Sequence, residues 1–189
     1  MKTVSLLFAG LVTATVALGQ NSTRKPANLH LHVETEINAT AEQVWEILAH
    51  RFGEISEWSH VVDASRPLKW GDYPTEYIAH PDAPVPARET TSALATLVEV
   101  LIYYNEAKRE FIFDGVGLPG IITYSQNHTQ VAEVGPGISR VSFDIALHFK
   151  GPFAILSPLM KKRMSKTMAG VLEDLKVYAE AEEQIVAKQ

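Results

Sequence analysis

An α+β fold is predicted from three features of the sequence. Segments with period-two apolar alternation follow one another from residue 88 to residue 150, separated only by short turns. Strands joined in that way pair antiparallel. A capped helical pattern begins at Thr40, ahead of those strands. A second one, with apolar residues recurring at three and four, runs from Ile155 to Tyr178 behind them. Helices kept to the ends of a run of strands define α+β rather than alternating α/β. One curved sheet of about seven strands around one long helix satisfies both patterns with a single core.

Each element has its own signal. Residues 1–19 read as a secretory leader. Lys2 supplies the charged start, Val4 to Leu18 is apolar, and Ala17-Leu18-Gly19 sets small residues at −3 and −1 of a cleavage site. The apolar run is about 15 residues, short of the roughly 20 that span a bilayer. The chain is therefore expected to be secreted, or periplasmic in a bacterium, after cleavage near Gly19, with no stable membrane span. Residues 20–28 form a polar, flexible lead-in, and residues 29–189 form one domain. In LHLHVETEI, Leu29, Leu31, Val33 and Ile37 share one parity, which predicts a half-buried strand. Thr40 and Gln43 have the spacing of a capping box. Val44, Trp45, Leu48 and Phe52 then follow at helical spacing, and Gly53 ends the pattern. Trp45 is expected in the core. Ile55 to Trp58 reads as one more helical turn and HVVDA as the start of a strand. Residues 64–87 hold five of the ten prolines and predict loops with one short strand. Strands follow at Thr96–Asn105, Arg109–Asp114, Ile121–Val134 and Arg140–Lys150, with turns at the Asn105 to Lys108, Gly115 to Gly120 and Gly135-Pro136-Gly137 segments. The final helix is expected to run about 30 residues, with one wide apolar face.

Composition limits the partners. The 189 residues carry a formal charge of −5 and no cysteine, and 46% are hydrophobic. Without cysteine, stability rests on the core alone. No basic stripe is present, which argues against nucleic acid as a partner. The run Lys161-Lys162-Arg163, with Lys166, reads as a solvated helix face. Three N-x-[ST] sequons, at Asn21, Asn38 and Asn127, are possible glycan sites in a eukaryotic secretory route. The sequence contains no HExxH, no GxSxG, no P-loop and no cysteine nucleophile. No cofactor and no metal is expected, and His30 and His32 read as a solvated pair on the polar parity of their strand. Nothing in the sequence fixes the oligomeric state.

Four segments in order, "AEQVWEIL…FGEISEWSHVV", "TLVEVLIYYNEAKREFIF…GLP", "NHTQVAEVG…SRVSFDI" and "GPFAILSPLMKKRMSKTMAGVLEDLKVYAE", resemble the START-like, or SRPBCC, superfamily. Within it the chain is similar to the polyketide cyclase/dehydrase and lipid-transport branch, over roughly residues 29–180. The resemblance implies a helix-grip fold, in which a seven-stranded antiparallel sheet curls around the C-terminal helix and leaves an internal cavity. It also implies a hydrophobic small molecule as partner: a lipid, a sterol or a polyketide-like compound.

The resemblance directs attention to particular side chains. Glu99 lies in an apolar strand and matches the Glu of an "ERL" segment that faces the cavity in hormone-binding relatives, with Val100 where a basic residue is usual. A carboxylate there would orient a ligand hydroxyl or act as acid or base, which makes Glu99 the candidate catalytic residue. The alternative is a salt bridge with Arg88, which matches a family position entering the third strand. Trp58 stands near the expected cavity mouth, and Phe111 and Phe113 share an inward parity. Tyr103, Tyr124, Asp63 and Asp144 are further polar candidates. Met160, Met164 and Met168 form an i, i+4, i+8 stripe, which with Val171 would floor the cavity with adaptable apolar surface. The first expectation is an exported binding protein for a hydrophobic small molecule. The alternatives are a cyclase/dehydratase-type enzyme and an interaction module with a vestigial cavity.

Overall fold

A computed structural model describes residues 27–151 and 157–186. The expected leader, with its sequon at Asn21, and the apolar pair Ile155-Leu156 lie outside the described residues. Seven strands form one sheet: β1 (Leu29–Ile37), β2 (Ala64–Leu68), β3 (Ala87–Thr91), β4 (Thr96–Asn105), β5 (Glu110–Val116), β6 (Ile122–Gly135) and β7 (Ile138–Phe149). Their spatial order is β1-β7-β6-β5-β4-β3-β2, and every neighbouring pair is antiparallel. The chain from β2 to β7 is thus a meander, and β1 returns to lie beside the last strand. The long helix α2 (Ser157–Val186) packs on the inner face of this curved sheet, as a helix-grip fold requires. No described helix is long and apolar enough to cross a membrane.

The first helical region is more broken than the apolar spacing predicts. Helix α1 (Ala41–Trp45) starts at the expected capping box, where the Gln43 amide donates to Thr40 Oγ1 and the Thr40 amide donates to Gln43 Oε1. It then widens into a π turn (Glu46–His50), closed by the Arg51 amide donating to the Glu46 carbonyl at 3.0 Å. A 3-10 turn (Phe52–Glu57) follows. The apolar residues still fall inward, because the wider turn rotates Leu48 and Phe52 back onto the face of Val44 and Trp45; all four are buried. Trp45 stacks on Tyr104 and Phe111, with ring centroids 5.6 Å away in each case.

Two other segments differ from expectation. HVVDA does not begin a strand. His60 to Asp63 form a turn, and β2 starts at Ala64. Pro67 is tolerated inside β2 because β2 is an edge strand with an open side. The proline-rich segment after it folds onto the outer face of the sheet. There Leu68, Tyr73, Ala79, Ala87 and Val100 make a second small core. Val100 is fully buried in that core, which gives a hydrophobic residue a reason to stand beside Glu99.

The face of α2 is apolar in its second half. Val171, Leu172, Leu175 and Ala179 are buried, whereas Met160, Met164 and Met168 are only partly so and Leu159 is 58% exposed. Two sets of polar contacts pin the second half. Lys176 Nζ donates to the Glu36 carbonyl at 2.6 Å, and Glu180 accepts from the amide and the side chain of Asn38. Arg51 donates to Glu182 at 2.7 and 3.1 Å and to the Tyr178 hydroxyl at 3.2 Å.

Candidate ligand-binding cavity

Between the sheet and the partly buried half of α2 lies a cavity of about 120 Å³. Each wall comes from one element. Leu48 and Ile55 enter from the π and 3-10 turns, and Trp58, Val61 and Val62 from the segment leading to β2. Phe111 and Phe113 come from β5, Asn127 and Thr129 from β6, and Phe143 from β7. Met168 and Val171 of α2 close it. Period-two alternation puts Phe111 with Phe113, and Asn127 with Thr129, on one face.

Among the described residues, the only charged ones in the lining are Arg88 and Glu99. They sit directly opposite each other across β3 and β4, the favoured cross-strand position for opposite charges. Arg88 Nε donates to Glu99 Oε2 at 2.5 Å, and Nη1 donates to the Phe52 carbonyl at 2.9 Å. The guanidinium also lies 4.0 Å from the Phe52 ring centroid and 5.4 Å from that of Phe113. Arg88 is 6% exposed, so the ion pair is effectively buried. It braces the 3-10 turn against the sheet while presenting a neutral pair to the cavity.

A polar tie joins the segment before β2 to α2. The His60 amide donates to Asp174 Oδ2 at 3.0 Å, and its ring Nδ1 meets the same oxygen at 2.5 Å. This fastens the Trp58 to Val62 segment to α2, one helical turn beyond Val171.

Of the residues singled out in the sequence, Trp58, Arg88, Glu99, Phe111, Phe113, Met168 and Val171 meet at this cavity. Others do not. Tyr103 sits on the outer face, where its hydroxyl donates to Glu110 Oε1 at 2.6 Å. A register shift between Leu101 and Tyr103 reverses the parity of β4, so that Tyr104 turns inward instead. Tyr124 and Met160 and Met164 are outside the lining, although both methionines pack on the core. Asp144 is exposed and pairs with His32 at 2.7 Å on the outer face. Asp63 is exposed in the turn before β2. Asn38 is exposed, as a glycan acceptor must be, but Asn127 points into the cavity at 8% exposure, where an oligosaccharide has no room. Sequence reasoning missed Asn127 and Thr129 as lining residues. The signal was present in their parity, which aligns them with Ile145 and Phe143 of β7.

The family model described as "Polyketide cyclase / dehydrase and lipid transport" matches residues 28–180. The chain belongs to that family. Solved structures share the fold at low identity. A START superfamily protein from Mycobacterium smegmatis superposes with a TM-score of 0.64 at 15% identity, covering 80% of this chain and 97% of its own. Protein XoxI from Bacillus cereus gives 0.64 at 17% identity, covering 82% and 98%. The Zhui aromatase/cyclase from Streptomyces sp. R1128 gives 0.59 at 11% identity, covering 80% and 93%. Among proteins of curated function none matches the chain.

One pH effect follows from the anchor at the far end of α2. The hydrogen bonds from Arg51 hold the Glu182 carboxyl below its ordinary value of 4.5. The folded state therefore releases that proton more readily than the unfolded chain. The stabilisation is present above the ordinary value and is lost as pH falls through the lowered one. Melting temperatures of wild type and Glu182→Gln are expected to differ at neutral pH and converge below pH 4.5. A gap that stays constant down the acid limb would contradict this.

Proposed function

We propose that this chain is an exported carrier of a hydrophobic small molecule, held between the sheet and α2. The observation that carries the reading is the cavity itself, which is apolar on nearly every wall and contains no uncompensated charge. Burial of apolar ligand surface would supply the affinity. Membership of a cyclase/dehydrase and lipid-transport family supports the same ligand class, and the leader-like residues 1–19 support export. Carriage is favoured over catalysis because the one carboxylate among the described lining residues is held by Arg88, and two donors of Arg88 are already used. At about 120 Å³ the cavity is smaller than the roughly 300–1,000 Å³ of drug-sized sites. A larger ligand would enter by releasing the His60–Asp174 tie and swinging Trp58 outward.

Native mass spectrometry of protein purified from its secretion route, before and after organic extraction, tests the reading. A discrete added mass that leaves on extraction is expected. Val171→Trp, which fills the cavity from the helix side, is expected to remove that mass while the far-ultraviolet spectrum stays unchanged. No adduct, together with no uptake of apolar probes by the extracted protein, would overturn the carrier reading.

A further inference from the structure

Asn127 is the polar exception in an inward-facing row. Register carries that row across five strands as Leu101, Phe113, Asn127, Ile145 and Leu31. The other four are buried hydrophobic residues. Asn127 is itself 8% exposed, lines the cavity, and its Oδ1 is buried with no hydrogen-bond partner among the described residues. A buried acceptor left unpaired costs free energy that an aliphatic side chain of the same size would not. Between Phe113 and Ile145 the sheet has no structural use for a carboxamide. The cost is recovered if a ligand brings the missing donor.

The remaining charge on the walls narrows that ligand. Arg88 and Glu99 compensate each other at 2.5 Å. A carboxylate ligand would leave two buried anions to share one cation, and a cationic ligand would do the reverse. A neutral group avoids both. A hydroxyl donates to Oδ1, and it can also accept from the Asn127 amide N–H groups, so it suits both ends of the carboxamide.

We propose that Asn127 is the specificity-determining residue of the cavity, and that the bound molecule is neutral and apolar with a hydroxyl donating to Asn127 Oδ1. This rests on the carrier reading above and names the chemistry of its ligand.

Phenol and toluene are suitable probes. They match in shape and differ in one hydroxyl, and a monocyclic ring suits a cavity of this size. Their dissociation constants are measured with wild type and with Asn127→Leu, whose side chain is similar in volume. Because the ratio between variants is read, the different hydration of the two probes cancels. Asn127→Leu is expected to raise the phenol-to-toluene ratio of dissociation constants about tenfold. In the wild type, the side-chain amide resonances of Asn127 are expected to shift with phenol and not with toluene. This second measurement decides the matter even if the variant does not fold. If both probes bind but the ratio is unchanged, or the amide resonances respond equally to both, the role of Asn127 is overturned and the carrier reading stands. If neither probe binds the wild type, the hydroxyl ligand at Asn127 is overturned, and the carrier reading falls with it only if native mass spectrometry also shows no adduct.

Discussion

Glu99→Leu is expected to lower the free energy of unfolding by about 3–5 kcal/mol, the cost of leaving a buried charge without its partner. The stranded charge is Arg88, 6% exposed and held against the carbonyl and ring of Phe52. Coulomb attraction alone would not justify so large a figure at a surface site, where ion pairs are worth about 0–1 kcal/mol. The size comes from desolvation, since the Glu99 side chain is only 16% exposed. The double replacement Arg88→Met/Glu99→Leu is therefore expected to recover most of the loss, because no buried charge remains. Urea denaturation of the two single variants and the double variant measures the cycle. A double variant as unstable as Glu99→Leu would show that the pair contributes shape or hydrogen bonding rather than charge compensation. The result also bears on function: a pair that is replaceable for stability is one the cavity retains for another purpose.

Gly53→Ala is expected to destabilise the fold by about 3 kcal/mol or more, at or beyond the upper end of overpacking costs. A Cβ at this position would lie 2.7 Å from both Cβ and N of Pro67 and 2.8 Å from its Cα. Two of those atoms are backbone, so no side-chain rotation relieves the clash. The edge strand β2 would have to move away from the 3-10 turn. That movement would also strain the bond from the Ser56 amide to Ser65 Oγ at 3.0 Å. The opposing gain, reduced freedom of the unfolded chain, is only about 0.4–1 kcal/mol. Sterics therefore win. Thermal and urea unfolding of Gly53→Ala checks it, and a neutral or stabilised variant would sink the close-contact explanation.

Gly53 also illustrates what the sequence can and cannot reveal. As a sequence signal it marks the end of a helical pattern, and a turn does follow. Its closeness to Pro67 depends on a strand that pairs only through tertiary structure. The same division holds elsewhere. The capping box at Thr40, the alternation of β1 and β7, and the heptad-like face of α2 are local patterns, and each element lies where its pattern puts it. Seven of the eleven residues singled out for ligand contact meet at one cavity, because parity within regular strands and helical spacing carry them there. Tyr103 does not, because one register shift in β4 undoes parity beyond Leu101. Nothing local in LIYYN announces a bulge. Asn127 was singled out only as a sequon, although its strand parity carries it inward beside Ile145.

The position of β1 has a consequence for the order in which the chain can fold. From β3 to β7 the meander closes through short turns, so each of those strands has its neighbour soon after it is made. β1 is different: its partner is β7, as in the pairing of His32 with Asp144 across 112 residues. Contacts so distant along the chain form slowly, because a long loop must be closed before any of them is rewarded. During synthesis β1 must wait without its partner strand until residue 149 has emerged. A nascent chain paused before that point therefore presents a sticky strand with no edge to join. Such a strand is a natural point of contact for chaperones and a hazard for aggregation.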